Sequence, residues 1–289
     1  HLPFNFGVEL ELIIRPKHID SLPFDLRLPD SDATPRQTRD FNFTLLKMIA
    51  QLLSASEMPC NVFDHNCDEE PDYTKWNATL DASISKAHIA NGFYPVEIVT
   101  PIIKADADWV YTIDKFWSVM DDAFLYRRDI SCGTHVHISP ASGSYNAFEV
   151  IETSERDQIV DFVSPDKYVS WNFRSAKTTG FGSIEFRRPP GVTTTWQTKH
   201  WVAFTMAFTE MAIQASPEQF DPPSSQNIDR FPQPTFDTLL MNAAYGIRVN
   251  MEIDQALGLY DDARSLHIAN ITDENLEWLW RADWEYMPN

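Results

Sequence analysis

An α+β fold, a sheet covered on one face by helices, is what this sequence predicts, and three observations predict it. Several short segments alternate apolar and polar residues with a period of two; longer ones repeat apolar residues at helical spacing; and the alternating segments gather their ionisable groups on one face. With 289 residues, 43% of them apolar and 13% aromatic, the chain can supply a sizeable core and is expected to fold as a soluble globular protein.

The elements follow in order. In FNFGVELELII, a strand would put Phe4, Phe6, Val8, Leu10 and Leu12 on one face and Gly7, Glu9 and Glu11 on the other. A polar, proline-punctuated loop runs to about Arg39, and FNFTLLKMIAQLLSA then sets Phe41, Leu45, Ile49, Leu52 and Leu53 at helical spacing. After the acidic loop DHNCDEEPDYT, alternation returns in WNATLDASIS, and YPVEIVTPII is a strand ended by Pro101. Residues 106–128 read as a helix that starts at Asp106 or Asp108, carries Val110, Ile113, Phe116, Trp117 and Met120 on one face, and ends near Arg127 and Arg128. SCGTHVHISP, KYVSWNF and GSIEFRRPPG are further strand candidates, RSAKTTGFG is a flexible loop, and TTTWQTKHWVAFTMAFTEMAIQA is a long buried helix. A Pro- and Ser-rich segment after Ser216 leads to a helical C-terminal part whose last helix starts at Thr272. The expected division is a domain over 1–215 and an extension over 216–289.

Charge narrows the function classes. A formal net charge of −19, from 42 acidic against 23 basic residues, repels nucleic acid and anionic membranes, so neither is an expected partner. An anionic ligand would need placed Arg or Lys side chains, or a bound cation. No segment approaches the ~20 apolar residues of a membrane span, and the first residues lack the basic-then-apolar order of a signal peptide. Residue 1 is His rather than Met, which leaves open a segment removed from the front. Three cysteines, Cys60, Cys67 and Cys132, form no even framework and point to a reducing compartment. Cys60, His65 and Cys67 match no common zinc spacing and read as a loop with unpaired thiols.

The same parity recurs on each strand. Asp81 and Ser83 oppose Leu80, Ala82 and Ile84; Glu97 opposes Val96 and Ile98; His135 and His137 oppose Val136 and Ile138; Glu185 and Arg187 oppose Ile184 and Phe186. If these strands share a sheet, four glutamates and an aspartate converge with one arginine, and either their pKa values rise or cations occupy the gap. Oxygen-rich ligation with one or two imidazoles suits Mg²⁺ or Mn²⁺ better than structural zinc. Alternate residues of a strand are about 7 Å apart, so Glu9 and Glu11 can each serve a different ion. Taken singly the pieces have plainer readings: a hydrogen-bonded His pair, a cross-strand Glu–Arg salt bridge, an Asp that ends a strand.

The series FGVELE, WNATLDASI, YPVEIVTP, SCGTHVHI and SIEFR, in this order over roughly residues 4–210, resembles the amidoligase family of the glutamine synthetase and glutamate–cysteine ligase superfamily. The resemblance implies a curved, mainly antiparallel sheet with helices on its convex face and ATP and divalent ions on its concave face. It further implies an ATP-dependent carboxylate–amine ligase, working through an acyl phosphate on a small-molecule or peptide carboxylate and an amine. Glu9, His135 and Glu185 would hold the ion nearer the transferred phosphoryl group; Glu11 and Glu97, with Asp81, would hold a second near the amine side; and Arg187 would neutralise phosphate charge. Glu11, Glu185 and Arg187 are thus the expected catalytic residues. Lys177 and Arg174 are candidate nucleotide-binding cations on a loop that a plain strand connection explains equally well, and His137 and Ser83 are candidate substrate contacts. Ala82 departs from the Gly common in the family after the Asp. The competing reading is a metal-dependent hydrolase of amide or phosphate bonds, in which a bound metal activates water. Dependence on ATP and free thiols point to the cytoplasm; the oligomeric state is not legible.

Overall fold

The computed structural model describes residues 4–17, 34–64, 71–105, 107–141, 153–177, 180 and 182–214. The helix expected from Thr272, the Cys67 and His65 side chains and the extension over 216–289 lie outside them.

Strand β1 (Phe4–Pro16) is the axis of the fold. Its even-numbered residues from Phe4 to Ile14 are buried in the main core, and Glu9 and Glu11 point the other way, as the parity required. Helix α1 (Pro35–Ala55) opens with a capping box: Thr34 Oγ1 accepts from the Gln37 backbone N–H (3.3 Å) and Gln37 Oε1 accepts from the Thr34 N–H (2.8 Å). The helix buries Phe41, Leu45, Leu46, Met48, Ile49 and Leu53 against the sheet. The strands β2 (Cys60–Val62), β3 (Trp76–Thr79), β4 (Tyr94–Val99) and β5 (Ile103–Lys104) come next. Helix α2 (Trp109–Ala123) is capped by Asp108, whose side chain accepts from the Tyr111 N–H at 3.1 Å. Strands β6 (Phe124–Arg127) and β7 (Thr134–Pro140), helix α3 (Thr153–Val163), strands β8 (Trp171–Asn172) and β9 (Ile184–Phe186), and helix α4 (Thr195–Gln214) complete the described chain.

These nine strands form one mixed, mostly antiparallel open sheet in the order β2-β3-β4-β1-β7-β9-β8, with β5 and β6 also pairing with β1 and with β2 and β3 parallel. The apolar face packs on α1, α2 and α4, where Phe116 stacks on Trp76 with ring centroids 4.7 Å apart and Trp117 Nε1 donates to Thr198 Oγ1 at 2.8 Å, tying α2 to α4. Each large apolar side chain buried there stabilises by about 1.5–3 kcal/mol. Among the described residues no helix is long and apolar enough to cross a membrane.

Three local expectations are corrected. The second helix ends at Ala123 rather than near Arg128, because β1 is 13 residues long and its last four find their partner in Phe124–Arg127, with Ile13 opposite Arg127 and Pro16 opposite Phe124. The strand in WNATLDASIS stops at Thr79, so Asp81 and Ser83 stand on a turn, and Ile84 packs with Ile13 and Cys132 on the acidic side of the sheet instead of joining the main core. In KYVSWNF only Trp171 and Asn172 pair, because Asp166 Oδ1 takes the Tyr168 N–H at 2.7 Å and holds that stretch in a turn.

Candidate active site

Register brings the charged residues together. Glu9 sits opposite His135, Glu11 opposite Glu97, and His137 opposite Glu185. Directly paired residues on neighbouring strands point to the same side with Cβ atoms about 4.5–5.5 Å apart, so three ladders place five ligand-type side chains and His137 on one surface.

Two groups result. In the first, one ligand atom each from Glu9, His135 and Glu185 lie within 4.8 Å of one another; in the second, the same holds for Glu11, Asp81 and Glu97. Within the first, His135 Nδ1 is 2.9 Å from Glu9 Oε2 and 3.5 Å from Glu185 Oε1. His137 Nε2 lies beside it, 3.0 Å from Glu9 Oε1 in an ion-pair contact that is not an aligned hydrogen bond, and 3.8 Å from Glu185 Oε1. Arg187 pairs with Glu185 Oε1, and Asn172 Nδ2 donates to the other oxygen, Oε2, at 2.8 Å. The groups adjoin: His135 Nε2 is 4.0 Å from Glu11 Oε1.

The electrostatics of the two groups differ. Burial acts to raise the Glu9 pKa, but the adjacent His137 and His135 outweigh it and hold this carboxyl well below its usual range. His137 is raised in turn, since Glu9 overcomes the effect of burial. In the second group the nearest imidazole, His135, stands 4.0 Å from Glu11 and compensates less. Burial raises Glu97 first, and repulsion from Glu9, Asp81 and Glu11 takes it to about 9. Burial also raises Glu11, against the pull of the Gly133 N–H. Burial pushes Asp81 up as well, but the backbone N–H and hydroxyl of Ser83 more than offset it, so Asp81 stays ionised and accepts the proton that Glu97 carries. Four acids in one buried patch therefore do not all ionise unless a cation joins them.

Asp81 reaches the second group from its turn, with Oδ1 accepting the Ser83 N–H at 2.6 Å. Lys177 Nζ binds Asp161 Oδ1 at 2.5 Å, and Arg174 Nη1 donates to the carbonyls of Pro165 (2.9 Å) and Ser164 (3.5 Å), so in this structure both brace the segment between α3 and β9. Burial and the nearby Glu11 and Asp129 push the Cys132 thiol up to about 12, which fits a packed, protonated side chain.

Two site residues escaped sequence reading. Asn172 lies on β8 directly opposite Glu185, and the signal for it was its place in a strand candidate, where an uncharged amide does not draw notice. Gly133 donates its backbone N–H to Glu11 Oε2 at 2.5 Å, and a Cβ at that position would meet His135 Nε2 at 3.0 Å and Glu11 Oε2 at 3.3 Å. Both atoms end movable side chains, so Gly133→Ala is expected to leave the fold standing but displace one ligand from each group, lowering turnover by about tenfold or more. Steady-state assays beside a thermal melt check it; an alanine variant with unchanged turnover would show that the close approach does not matter.

A family model described as "Putative amidoligase enzyme" matches the chain over residues 2–154. It spans β1 to β7 and so includes Glu9, Glu11, Asp81, Glu97, His135 and His137, and it ends before β9, which register alone joins to them. Comparison with curated proteins gives no match.

Proposed function

Since this chain belongs to the amidoligase family, a family of enzymes of the ligase type, we propose that it is an ATP- and Mg²⁺-dependent (or Mn²⁺-dependent) carboxylate–amine ligase that works through an acyl phosphate. The observation that carries the reading is the pair of carboxylate-rich groups beside Arg187, in which burial first and like charge second raise the pKa of Glu97. The donor set fits hard divalent ions: each group offers two or three carboxylates, the first adds one imidazole, and neither contains a thiolate.

Glu9, His135 and Glu185 would hold one ion, and Glu11, Glu97 and Asp81 a second. When bound, such ions supply Lewis-acid charge against phosphoryl oxygens. The chain's own residues do the rest. A carboxylate is a poor acceptor because its leaving group would be oxide, and phosphorylation by ATP supplies phosphate instead. Arg187, released from Glu185 once that carboxylate has another counter-charge, neutralises the negative charge that builds on the phosphoryl group. Asn172 keeps Glu185 in place by its hydrogen bond, and His137, at the edge of the first group, orients the substrate. The substrates are a small-molecule or peptide carboxylate and an amine, and the need for ATP together with the free thiols of Cys60 and Cys132 argues for the cytoplasm. Closing Lys177 or Arg174 onto phosphates would first require breaking their present contacts.

Incubation with ATP, Mg²⁺ and pools of carboxylates and amines tests the reading. ADP release is expected only when both a carboxylate and an amine are present; amide formed without nucleotide would overturn the ATP dependence, and cleavage of added amide or phosphate-ester substrates without nucleotide would favour the hydrolase instead.

A further inference from the structure

The two groups of ligands are held by different means. Glu9, His135 and Glu185 project from paired strands, whose ladders fix them. In the second group Glu11 and Glu97 also face each other on paired strands, but Asp81 stands on the turn after β3, and Glu11 has its Oε2 set by the Gly133 N–H at the end of the loop between β6 and β7. Those two loops are joined by a continuous set of polar contacts. His88 Nε2 meets Asp129 Oδ2 at 2.6 Å. Asp129 Oδ1 accepts from the Ser131 backbone N–H (2.9 Å) and from its hydroxyl (2.7 Å), and Ser131 Oγ in turn accepts from the Ser85 N–H at 2.8 Å. Asp129 also receives the Cys132 N–H on its backbone carbonyl at 3.1 Å, one residue before Gly133. The turn that carries Asp81 is therefore clasped, at Ser85 and His88, to the loop that aims Glu11.

We infer that the His88–Asp129–Ser131 clasp positions the Glu11–Asp81–Glu97 group for its cation, and leaves the Glu9–His135–Glu185 group to the strands. The inference rests on the divalent-ion reading of both groups. His88, Asp129 and Ser131 are positioning residues: none belongs to either ligand group, and they act through Gly133 and through the Asp81 turn. The small apolar cluster of Ile13, Ile84 and Cys132 between the same loops offers the competing explanation, that packing alone holds them and the polar contacts add only stability.

Mn²⁺ titrations of the full chain, followed calorimetrically and by the electron paramagnetic resonance of free Mn²⁺, separate these possibilities without any assay of turnover. Wild type is expected to bind two ions. Asp129→Ala and His88→Ala should weaken one of them about 10–100-fold, the range seen when supporting contacts behind metal ligands are removed, while the other stays within about twofold. The retained site also reports that the variant is folded. His88→Gln, whose amide can still donate to Asp129, should return the weakened site to within about threefold of wild type. If Asp129→Ala does not fold, Ser131→Ala, which deletes a single hydroxyl, carries the same expectation of one selectively weakened site. Equal affinities in wild type and variants, or a parallel loss at both sites, would overturn the positioning role while leaving the metal reading standing. A wild-type protein that binds no Mn²⁺ would overturn that reading and this inference with it.

Discussion

Glu185→Gln is expected to lower ATP-dependent amide formation on the order of 10³-fold or more, with the fold retained, and Glu9→Gln to do the same. The size follows from what is removed. Glu185 is buried and its two oxygens face Arg187, His135 and Asn172, so its charge is the anionic centre of the first group. Charge stabilisation of the transferring phosphoryl group by a bound cation amounts to several kcal/mol, and each 1.36 kcal/mol is a factor of ten in rate. Glutamine keeps the shape and one carbonyl oxygen to accept from Asn172, but it cannot balance a divalent ion. It also deprives Arg187 of its ion pair, but that side chain is only partly buried and can turn to solvent, so the variant protein should melt within a few degrees of wild type. ADP release under saturating ATP and metal, with circular dichroism as the fold control, measures both halves. Turnover near that of wild type in either variant would remove these residues from the metal assignment.

Glu97→Gln should have two opposed effects, a loss of activity comparable to that at Glu185 and a gain in stability of the metal-free protein. The gain comes from the burial of Glu97 and, after it, from repulsion by Glu9, Asp81 and Glu11. The sign of the pH dependence follows. A carboxyl whose pKa is about 9 in the folded chain and 4.5 as a free side chain keeps in the native state a proton that the unfolded state has lost. Native stability therefore falls as pH rises through that window and levels off above about 9. His137, with a raised pKa, acts in the same direction above its ordinary value of 6.5. Glutamine is neutral at every pH, so the variant should lack the Glu97 part of the decline and exceed wild type by on the order of 1–3 kcal/mol near pH 8 without metal. Urea unfolding in the presence of a chelator, at pH 6 and pH 8, gives the comparison; a variant that is less stable than wild type at pH 8 would contradict it. The same proton must leave when a cation binds, so affinity at the second group should climb with pH, by up to tenfold per unit, until about pH 9.

Much of the site was legible because strand parity is a local property. Val8, Leu10, Val96, Ile98, Val136, Ile138, Ile184 and Phe186 are apolar at every second position, and burying them on helices leaves Glu9, Glu11, Glu97, His135, His137 and Glu185 no choice but the opposite face. Parity also set Glu9 and Glu11 far enough apart to serve different ions, whereas the allotment of the other ligands to each rested on the family resemblance. Asp81, placed with Glu11 and Glu97 by the resemblance, lies beside them although the strand assumed to carry it ends at Thr79.

What parity could not supply was partnership. Residues 124–127 have the apolar spacing of a helix end and become a strand only because the overhanging end of β1 needs a neighbour. Arg174 and Lys177 are cations in a loop in either case, but only the folded chain turns them towards Pro165 and Asp161. Asn172 and Gly133 carry no charge that would single them out, and their roles arise from the register of β8 against β9 and from a loop that returns to Glu11. Alternation along a strand is dictated by backbone geometry within a few residues and so can be read from composition. Which strand, loop or counter-charge lies alongside depends on contacts between residues as distant as Glu11 and Gly133, and those are settled only when the whole sheet closes around its core.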